Sequence, residues 1–337
     1  MSEESLTLVV TSSYDATTDV LLSSSIIPTE RVFRFNYDLI DRYSFEITPE
    51  SFTIADPVGR VATFENVSKC YLRKFERKVT SCPQEKYADD ELWYAVRSMV
   101  HLLWAHQRVV LVEPGAEVTR LDKLAQLRIA CQFFPIADAV FCHQQIPEVR
   151  SPAVVKSLSR GKVGDKVVYA NRVDVDALDR KWPWYIHEFI DSRYDVTVVY
   201  VRGTSFAFRL DRANVVNGTR VDWKSDRAEK GAQPWEFFQL PCKDSDAISN
   251  LMQAMKLDYG RIDFLADERL DVLTFLEVNP NGQFAWLDLN DTHGVISAVC
   301  NQISPTTDVN PIPHCPFGFK GRAANKAVNR STHSRGN

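Results

Sequence analysis

Apolar positions recur along this chain at two different periods. Residues 6–12, Leu-Thr-Leu-Val-Val-Thr-Ser, form a short apolar run that predicts a buried first strand. Thr11, Ser12, Ser13 and Asp15 then make a polar turn, and Thr18–Ser24 predicts a helix. Val32–Phe35 and Phe52–Ile54 read as short strands. Between residues 89 and 107, Leu92, Val96, Met99 and Leu103 fall at helical spacing, so one face of a helix should be buried there. Residues 1–118 are therefore expected to form an α/β N-terminal domain.

The pattern then changes. A helix is expected over 120–132, with Leu121, Leu124, Ala125 and Cys131 on one face, followed by strands at 153–158, 167–169 and 184–190. Gly161 and Gly164 sit in a polar, basic stretch between the first two of these strands. This predicts a small central sheet with a glycine-containing loop, spanning 119–190. Strands follow at 195–201, 205–210 and 235–240, separated by a polar stretch, 211–234, that reads as a long exposed loop or hairpin. Ile248, Leu251, Met252 and Met255 predict a helix over 245–256, with Asp244 or Ser245 as its N-cap. Two strands, 261–265 and 272–279, close a third unit, 191–305. Beyond Asp308 no acid remains, and 306–337 reads as a basic, disordered tail.

Composition narrows the class. The 337 residues are 45% hydrophobic and 25% charged, enough apolar material for two or three subdomains with a sizeable core. A net charge of −4 gives no electrostatic reason to expect a nucleic acid partner. The seven cysteines form no CxxC pair, which favours reduced thiols over a disulfide framework or a zinc site. The opening Met1-Ser2-Glu3-Glu4-Ser5 lacks the basic and apolar regions of a secretory signal. No apolar run approaches the roughly 20 residues a membrane span needs. A soluble cytoplasmic protein without a membrane partner is expected.

The densest chemistry lies in Gly260-Arg261-Ile262-Asp263-Phe264 and Phe275-Leu276-Glu277-Val278-Asn279-Pro280-Asn281-Gly282. Residues two apart on a strand share a face, so Glu277 and Asn279 point one way while Leu276 and Val278 point into the core. If the two segments pair as a hairpin, Asp263 joins Glu277. Two carboxylates and an amide oxygen suit magnesium, which leans on waters and substrate phosphates rather than on a protein cage. The alternative is a solvated strand face, but Asp, Asn and Glu are poor strand formers and their place inside apolar β runs needs a cause.

These segments resemble the closing metal motif of ATP-grasp ligases. The resemblance implies an α/β (α+β) ATP-grasp fold: an N-terminal α/β (pre-ATP-grasp) domain, a small central sheet domain and a C-terminal antiparallel-sheet domain. It implies ATP and Mg2+ as cofactors, with Asp263, Glu277 and Asn279 on the metal. Lys123 and Lys156 match the family's two phosphate-reaching lysines; each taken alone reads equally as a surface lysine, and their order carries the match. Ile186-His187-Glu188-Phe189-Ile190 matches the family's apolar-Gln-Glu-x-Ile stretch, with His187 in place of Gln. There the main chain of His187, Glu188 and Ile190 would pair with the adenine edge. The loop 159–165 would be a flap over the phosphates, though it reads as well as a solvated hairpin turn.

Over about residues 6–303 the chain resembles, more narrowly, the ligases that mature graspetides, the microviridin-type ribosomal peptides (RiPPs). The similar elements are Val9–Thr17, Tyr71-Leu72-Arg73-Lys74, Tyr194-Asp195-Val196, Val221-Asp222-Trp223-Lys224 and Asn281–Leu287. The resemblance implies an ADP-forming ligase that phosphorylates Asp or Glu side chains of a precursor peptide. It then joins them to Ser or Thr hydroxyls or Lys amines, closing macrocyclic esters or amides. The family often has Arg where Thr197 stands; Arg209, Arg212 or Arg261 is then expected to hold the transferred phosphate. Lys224 replaces a family Arg and loses bidentate recognition of a carboxylate. Arg212, Arg220, Trp223 and Lys224 would meet the peptide, unless 211–234 is simply a solvated loop. The N-terminal domain would contribute packing and a surface on which a homodimer could form. A ligase of the same fold acting on amino acids or small peptides, as glutathione synthetase and glutamate ligases do, is the alternative. A nucleotide-binding module without catalysis is a third reading, against which Asp263, Glu277, Asn279 and both lysines argue.

Overall fold

The computed structural model describes residues 5–74, 82–114, 122–149, 152–159, 162–163, 166–167, 169–214, 221 and 234–306. The first layer is a parallel sheet of β1 (Leu6–Thr11), β2 (Val32–Asn36), β6 (Val67–Leu72) and β7 (Val109–Val110), in the order β2-β1-β6-β7. β1 is central and buried on both faces, which is why it reads as a continuous apolar run. Leu8 and Val10 pack with Phe33, Phe35 and Cys70 against Val96, Met99 and Leu103 of α2 (Pro83–Ala105). Val9 packs on the other side with Leu21 of α1 (Ala16–Ser23). A three-stranded antiparallel sheet, β3 (Ser44–Ile47), β4 (Phe52–Ala55) and β5 (Val61–Thr63), adjoins this layer.

The middle of the chain carries α3 (Lys123–Ala130) and a sheet of order β12-β9-β13-β8, made from β8 (Ala139–Cys142), β9 (Ala153–Lys156), β12 (Asn171–Val173) and β13 (Trp184–Glu188). β10 (Lys162–Val163) and β11 (Lys166–Val167) form a separate two-stranded ribbon. The last unit is a five-stranded antiparallel sheet of order β16-β15-β14-β17-β18. Its strands are β14 (Tyr194–Val201), β15 (Thr204–Asp211), β16 (Glu236–Phe238), β17 (Tyr259–Ala266) and β18 (Leu273–Asn279). Arg202 and Gly203, at φ 40° and 91°, close the β14–β15 hairpin; two consecutive left-handed residues match the twist of the strands they join.

This sheet separates two cores. Val196, Val198, Ile262, Phe264 and Val278 pack with Ile248, Leu251 and Met252 of α4 (Cys242–Ala254) and with Leu127 and Ala130 of α3. Val199, Val201, Phe206 and Phe208 face the other way, onto Val295, Ile296, Val299 and Ile303 of α5 (Val295–Ile303) and onto Val9 and Tyr71 of the first layer.

Several expectations are corrected. α2 begins at Pro83, six residues before the apolar periodicity, because proline suits a first helical position and polar residues extend the helix freely. α4 begins at Cys242, with Pro241 rather than Asp244 or Ser245 at the N-cap; the Pro241 carbonyl accepts from the amides of Asp244 and Ser245. α3 buries Gln126, Leu127 and Ala130, while Leu124 and Cys131 are exposed; the buried face contains a polar residue, so selecting apolar residues points to the wrong side. Leu276 is half-buried and Phe275 takes its place in the core. The strand expected over 235–240 is limited to β16, and the one over 167–169 to the end of β11. The tail falls outside the described residues apart from Thr306.

Candidate active site

The C-terminal hairpin builds the centre of the site. Asp263 on β17 is paired directly with Glu277 on β18, and Arg261 with Asn279. The register shifts between Asp263 and Phe264: the next pair is Phe264 with Phe275, leaving Leu276 as an extra residue. This is a β-bulge. With strict alternation Glu277 would share the side of the fully buried Phe275. The bulge instead turns Glu277 and Asn279 to the side carrying Asp263 and sends Val278 into the core.

Cations and one hydroxyl surround these side chains. The Thr197 hydroxyl donates to Asp263 Oδ1 at 2.8 Å. The buried Arg261 reaches both oxygens of Asp263, Nε to Oδ1 at 3.3 Å and Nη2 to Oδ2 at 3.1 Å. Burial opposes the Arg261 charge, but the facing Asp263 outweighs it and holds its pKa above the ordinary value. Lys123 Nζ donates to the Ser157 carbonyl at 2.9 Å and lies 3.3 Å from Glu277 Oε2. Asp122 caps α3 by accepting from the Ala125 amide at 2.8 Å, which fixes where Lys123 enters the helix.

Two of the three arginines considered for the phosphate lie elsewhere. Arg209 is paired with Val196, on the opposite side of the sheet from Asp263, and binds Glu236 at 3.1 Å. Arg212 is buried against Asp195 at 3.2 Å and reaches the Val221 carbonyl. Arg261 alone of the three touches a predicted metal donor. Arg220, Trp223 and Lys224 lie outside the described residues, as do Gly161 and Gly164.

The central sheet presents a second set. Tyr185 is paired with Lys156 and His187 with Val154, so these side chains share one face of the sheet. Lys156 Nζ lies 5.7 Å from the centre of the Tyr185 ring, and the Tyr185 and His187 rings meet edge to face at 4.3 Å. Both are buried, and among the described residues neither the Tyr185 hydroxyl nor His187 Nε2 has a hydrogen-bond partner. Burial, then the charges of Lys156 and Lys123, pushes the His187 pKa down to about 3, so the imidazole is neutral near pH 7. Burial, followed by Glu277 and Asp122, pushes the Tyr185 phenol up. Glu188 ends β13, its amide bonded to the Asp138 carbonyl, and Ile190 lies half-buried in the link to β14.

A further support comes from the N-terminal layer. Arg73 is completely buried, 3.4 Å from Asp15, and donates to the carbonyls of Asn281 at 3.3 Å and Gly282 at 3.0 Å. The Tyr259 hydroxyl also donates to the Gly282 carbonyl, at 2.6 Å. The turn that follows Asn279 is thus held by Arg73, just past the end of β6, and by Tyr259 of β17. Gly282 is required there by close approach: a Cβ would lie 2.6 Å from Arg261 Cβ.

No protein-family model matches the chain, and no curated protein does. Solved structures do. The macrocyclase MdnC of Microcystis aeruginosa MRC, bound with the precursor peptide MdnA, superposes with a TM-score of 0.71 at 21% identity, over 88% of this chain and 98% of MdnC. A RiPP-associated ATP-grasp ligase of Chryseobacterium gregarium, in complex with ADP and a leader and core peptide, gives 0.71 at 20% identity, over 89% and 96%. The D-alanine–D-alanine ligase of Bacillus anthracis, complexed with ATP, gives 0.52 at 12% identity, over 91% and 97%. The chain has the ATP-grasp fold. In this ATP-grasp chain Asp263, Glu277 and Asn279 of the hairpin, Lys123 and the Tyr185–Lys156–His187 face converge from the last two units of the fold. No helix among the described residues is long and apolar enough to cross a membrane.

Proposed function

We propose that this chain is an ATP-dependent, ADP-forming ligase that activates carboxylate side chains of a ribosomal precursor peptide and joins them to Ser or Thr hydroxyls or Lys amines. The observation that carries this is the convergence of Asp263, Glu277 and Asn279 with Lys123 on one edge of the C-terminal sheet. Among the described residues no group of three or more His, Cys, Asp or Glu could hold a metal by itself. Two carboxylates and an amide oxygen beside a lysine fit Mg2+ completed by phosphate oxygens and water. When bound, Mg2+ offsets charge on the phosphates.

The chain's own residues supply the remainder. Lys123, paired with Glu277 here, can turn to a phosphate when that carboxylate is otherwise engaged. Lys156 stands over the Tyr185 ring, on the sheet face that also carries the buried Tyr185 hydroxyl and His187 Nε2, whose open hydrogen-bonding capacity fits a nucleotide. The main chain of Glu188 and Ile190 is the edge on which adenine would lie. Arg261 stands next to the donors, so it is the arginine we assign to the phosphate being transferred. The substrate carboxylate attacks the γ-phosphorus and ADP leaves. The hydroxyl or amine then attacks the acyl phosphate and phosphate leaves, so the peptide loses one water per ring. Catalysis of this kind is mostly positioning and electrostatics. The peptide reading is favoured over a small-substrate ligase by the closer superposition on two peptide-bound ligases than on the D-alanine ligase. The described cysteines are all free, as a cytoplasmic location would keep them.

The test is to incubate the protein with ATP, Mg2+ and candidate acidic peptides rich in Ser, Thr or Lys and to read mass. Each crosslink removes about 18 Da. Glu277→Gln should lower ATP turnover by about 10²–10³-fold with the circular dichroism spectrum unchanged. Near-normal turnover in a folded Glu277→Gln protein would remove the metal assignment.

A further inference from the structure

β18 is an edge strand of its sheet. The backbone groups of an edge face outward and need partners. At Val278, between two of the metal donors, those partners come from a side chain. Gln126 Nε2 donates to the Val278 carbonyl at 3.0 Å, and the Val278 amide donates to Gln126 Oε1 at 2.8 Å. Gln126 is 4% exposed and sits one turn after Lys123 on α3. A primary carboxamide has a donor and an acceptor side by side, the same pair that a peptide group of a neighbouring strand presents. Further along the same edge the Phe275 amide donates to the Pro135 carbonyl at 2.8 Å, and Ile136 bridges to Phe275. The segment from Lys123 to Ile136 therefore lies along β18 on both sides of the bulge.

We propose that Gln126 is a positioning residue for the metal-binding strand, its carboxamide standing in for a missing strand at Val278 and so fixing the directions of Glu277 and Asn279. The inference rests on the reading of Glu277 and Asn279 as metal donors. As a positioning residue Gln126 acts through the strand and needs no contact with nucleotide or metal. It ties the strand that carries the donors to the helix that carries Lys123, so both sides of the phosphate site move as one piece. A bulged strand needs such a tie more than a regular one, because the ladder to β17 is interrupted beside Glu277.

The experiment uses the full chain with Gln126→Met, which keeps the volume and removes both hydrogen bonds, and Gln126→Asn, which keeps the chemistry but shortens the reach. ADP binding is measured calorimetrically with and without Mg2+, and amide exchange is followed at Val278. The expected result is a loss of about tenfold in Mg2+-dependent ADP affinity, with metal-free ADP affinity within about twofold of wild type and faster exchange at Val278. If Gln126→Met does not fold, Gln126→Asn carries the same expectation. An equal loss in both ADP affinities, or no loss in either, overturns the proposal. If wild type binds ADP with no dependence on Mg2+, the metal reading itself falls, while accelerated exchange at Val278 still reports the tie.

Discussion

Asp15→Asn is the sharpest test of how the N-terminal layer is joined to the site. Asp15 and Arg73 are both fully buried, and Arg73 also donates to the Asn281 and Gly282 carbonyls. Asparagine keeps an oxygen for the Thr11 and Thr18 hydroxyls, which donate to Asp15 Oδ2 at 3.0 and 2.8 Å. What the substitution removes is the charge opposite a buried guanidinium. Breaking one side of a buried pair costs about 3–5 kcal/mol, a large part of a typical total of about 5–15 kcal/mol. In an Arg73→Met background the same change should cost under about 1.5 kcal/mol, giving a coupling energy of at least about 1.5 kcal/mol. Urea unfolding at pH 7 measures all four proteins, and the coupling should survive 1 M salt (~1 M, where only exposed charges are screened). Burial raises the Asp15 pKa, but Arg73, Thr18 and Thr11 outweigh it and leave it below the ordinary 3.8. The charge contribution is therefore complete above pH 3.8 and is lost as pH falls through the lower folded value, so the deficit of the variant narrows only in that acid range. Equal cost of Asp15→Asn with and without Arg73 would refute the reasoning.

Other substitutions probe separate features. Gly282→Ala should cost about 1–3 kcal/mol in thermal or urea unfolding and reduce turnover, because its Cβ meets Arg261 Cβ at 2.6 Å and the Asn279 carbonyl at 3.3 Å; Gly203→Ala, at φ 91° in open space, should cost about 1–2 kcal/mol with turnover unchanged. His187, faced by Lys156, Lys123, Glu277 and the Tyr185 ring, titrates near 3 when folded against 6.5 ordinarily. The unfolded chain takes that proton first, so stability is full above pH 6.5 and declines as pH falls toward 3. Relative to His187→Gln, wild type should lose up to about 1.4 kcal/mol per pH unit in that window; parallel urea midpoints from pH 7.5 to 5 (roughly, within the window) would exclude it.

The proposed donors stand out in the sequence, because Asp263, Glu277 and Asn279 interrupt apolar strands where such residues are otherwise unfavourable. The bulge that aims them is not, since one extra residue is defined only by the partner strand. α5 is written plainly in Val295, Ile296, Val299, Cys300 and Ile303, with the Asp291 carboxylate accepting from the amides of Ile296 and Ser297; strand alternation read up to Asn279 stops short of it. β6 escapes notice because half-buried Ser68 and Lys69 separate its buried Val67 from Cys70, Tyr71 and Leu72. Gln126 gives no signal at all: a polar residue on a helix reads as surface until a backbone 152 positions away is seen to need both ends of its amide. Asp15 and Arg73, 58 residues apart, are hidden for the same reason.

In a β-strand the parity of a position decides which side it faces, and the extra residue at Leu276 inverts parity partway along β18. Were β18 to run straight with Leu276 kept in the ladder, Glu277 and Asn279 would swing among the aliphatic side chains and Val278 would be pushed out, whereas deleting Leu276 would close the bulge and leave all three on their present sides. The pairing that holds Leu276 out of the ladder is therefore as much a determinant of which way Glu277 and Asn279 face as the identities of those side chains.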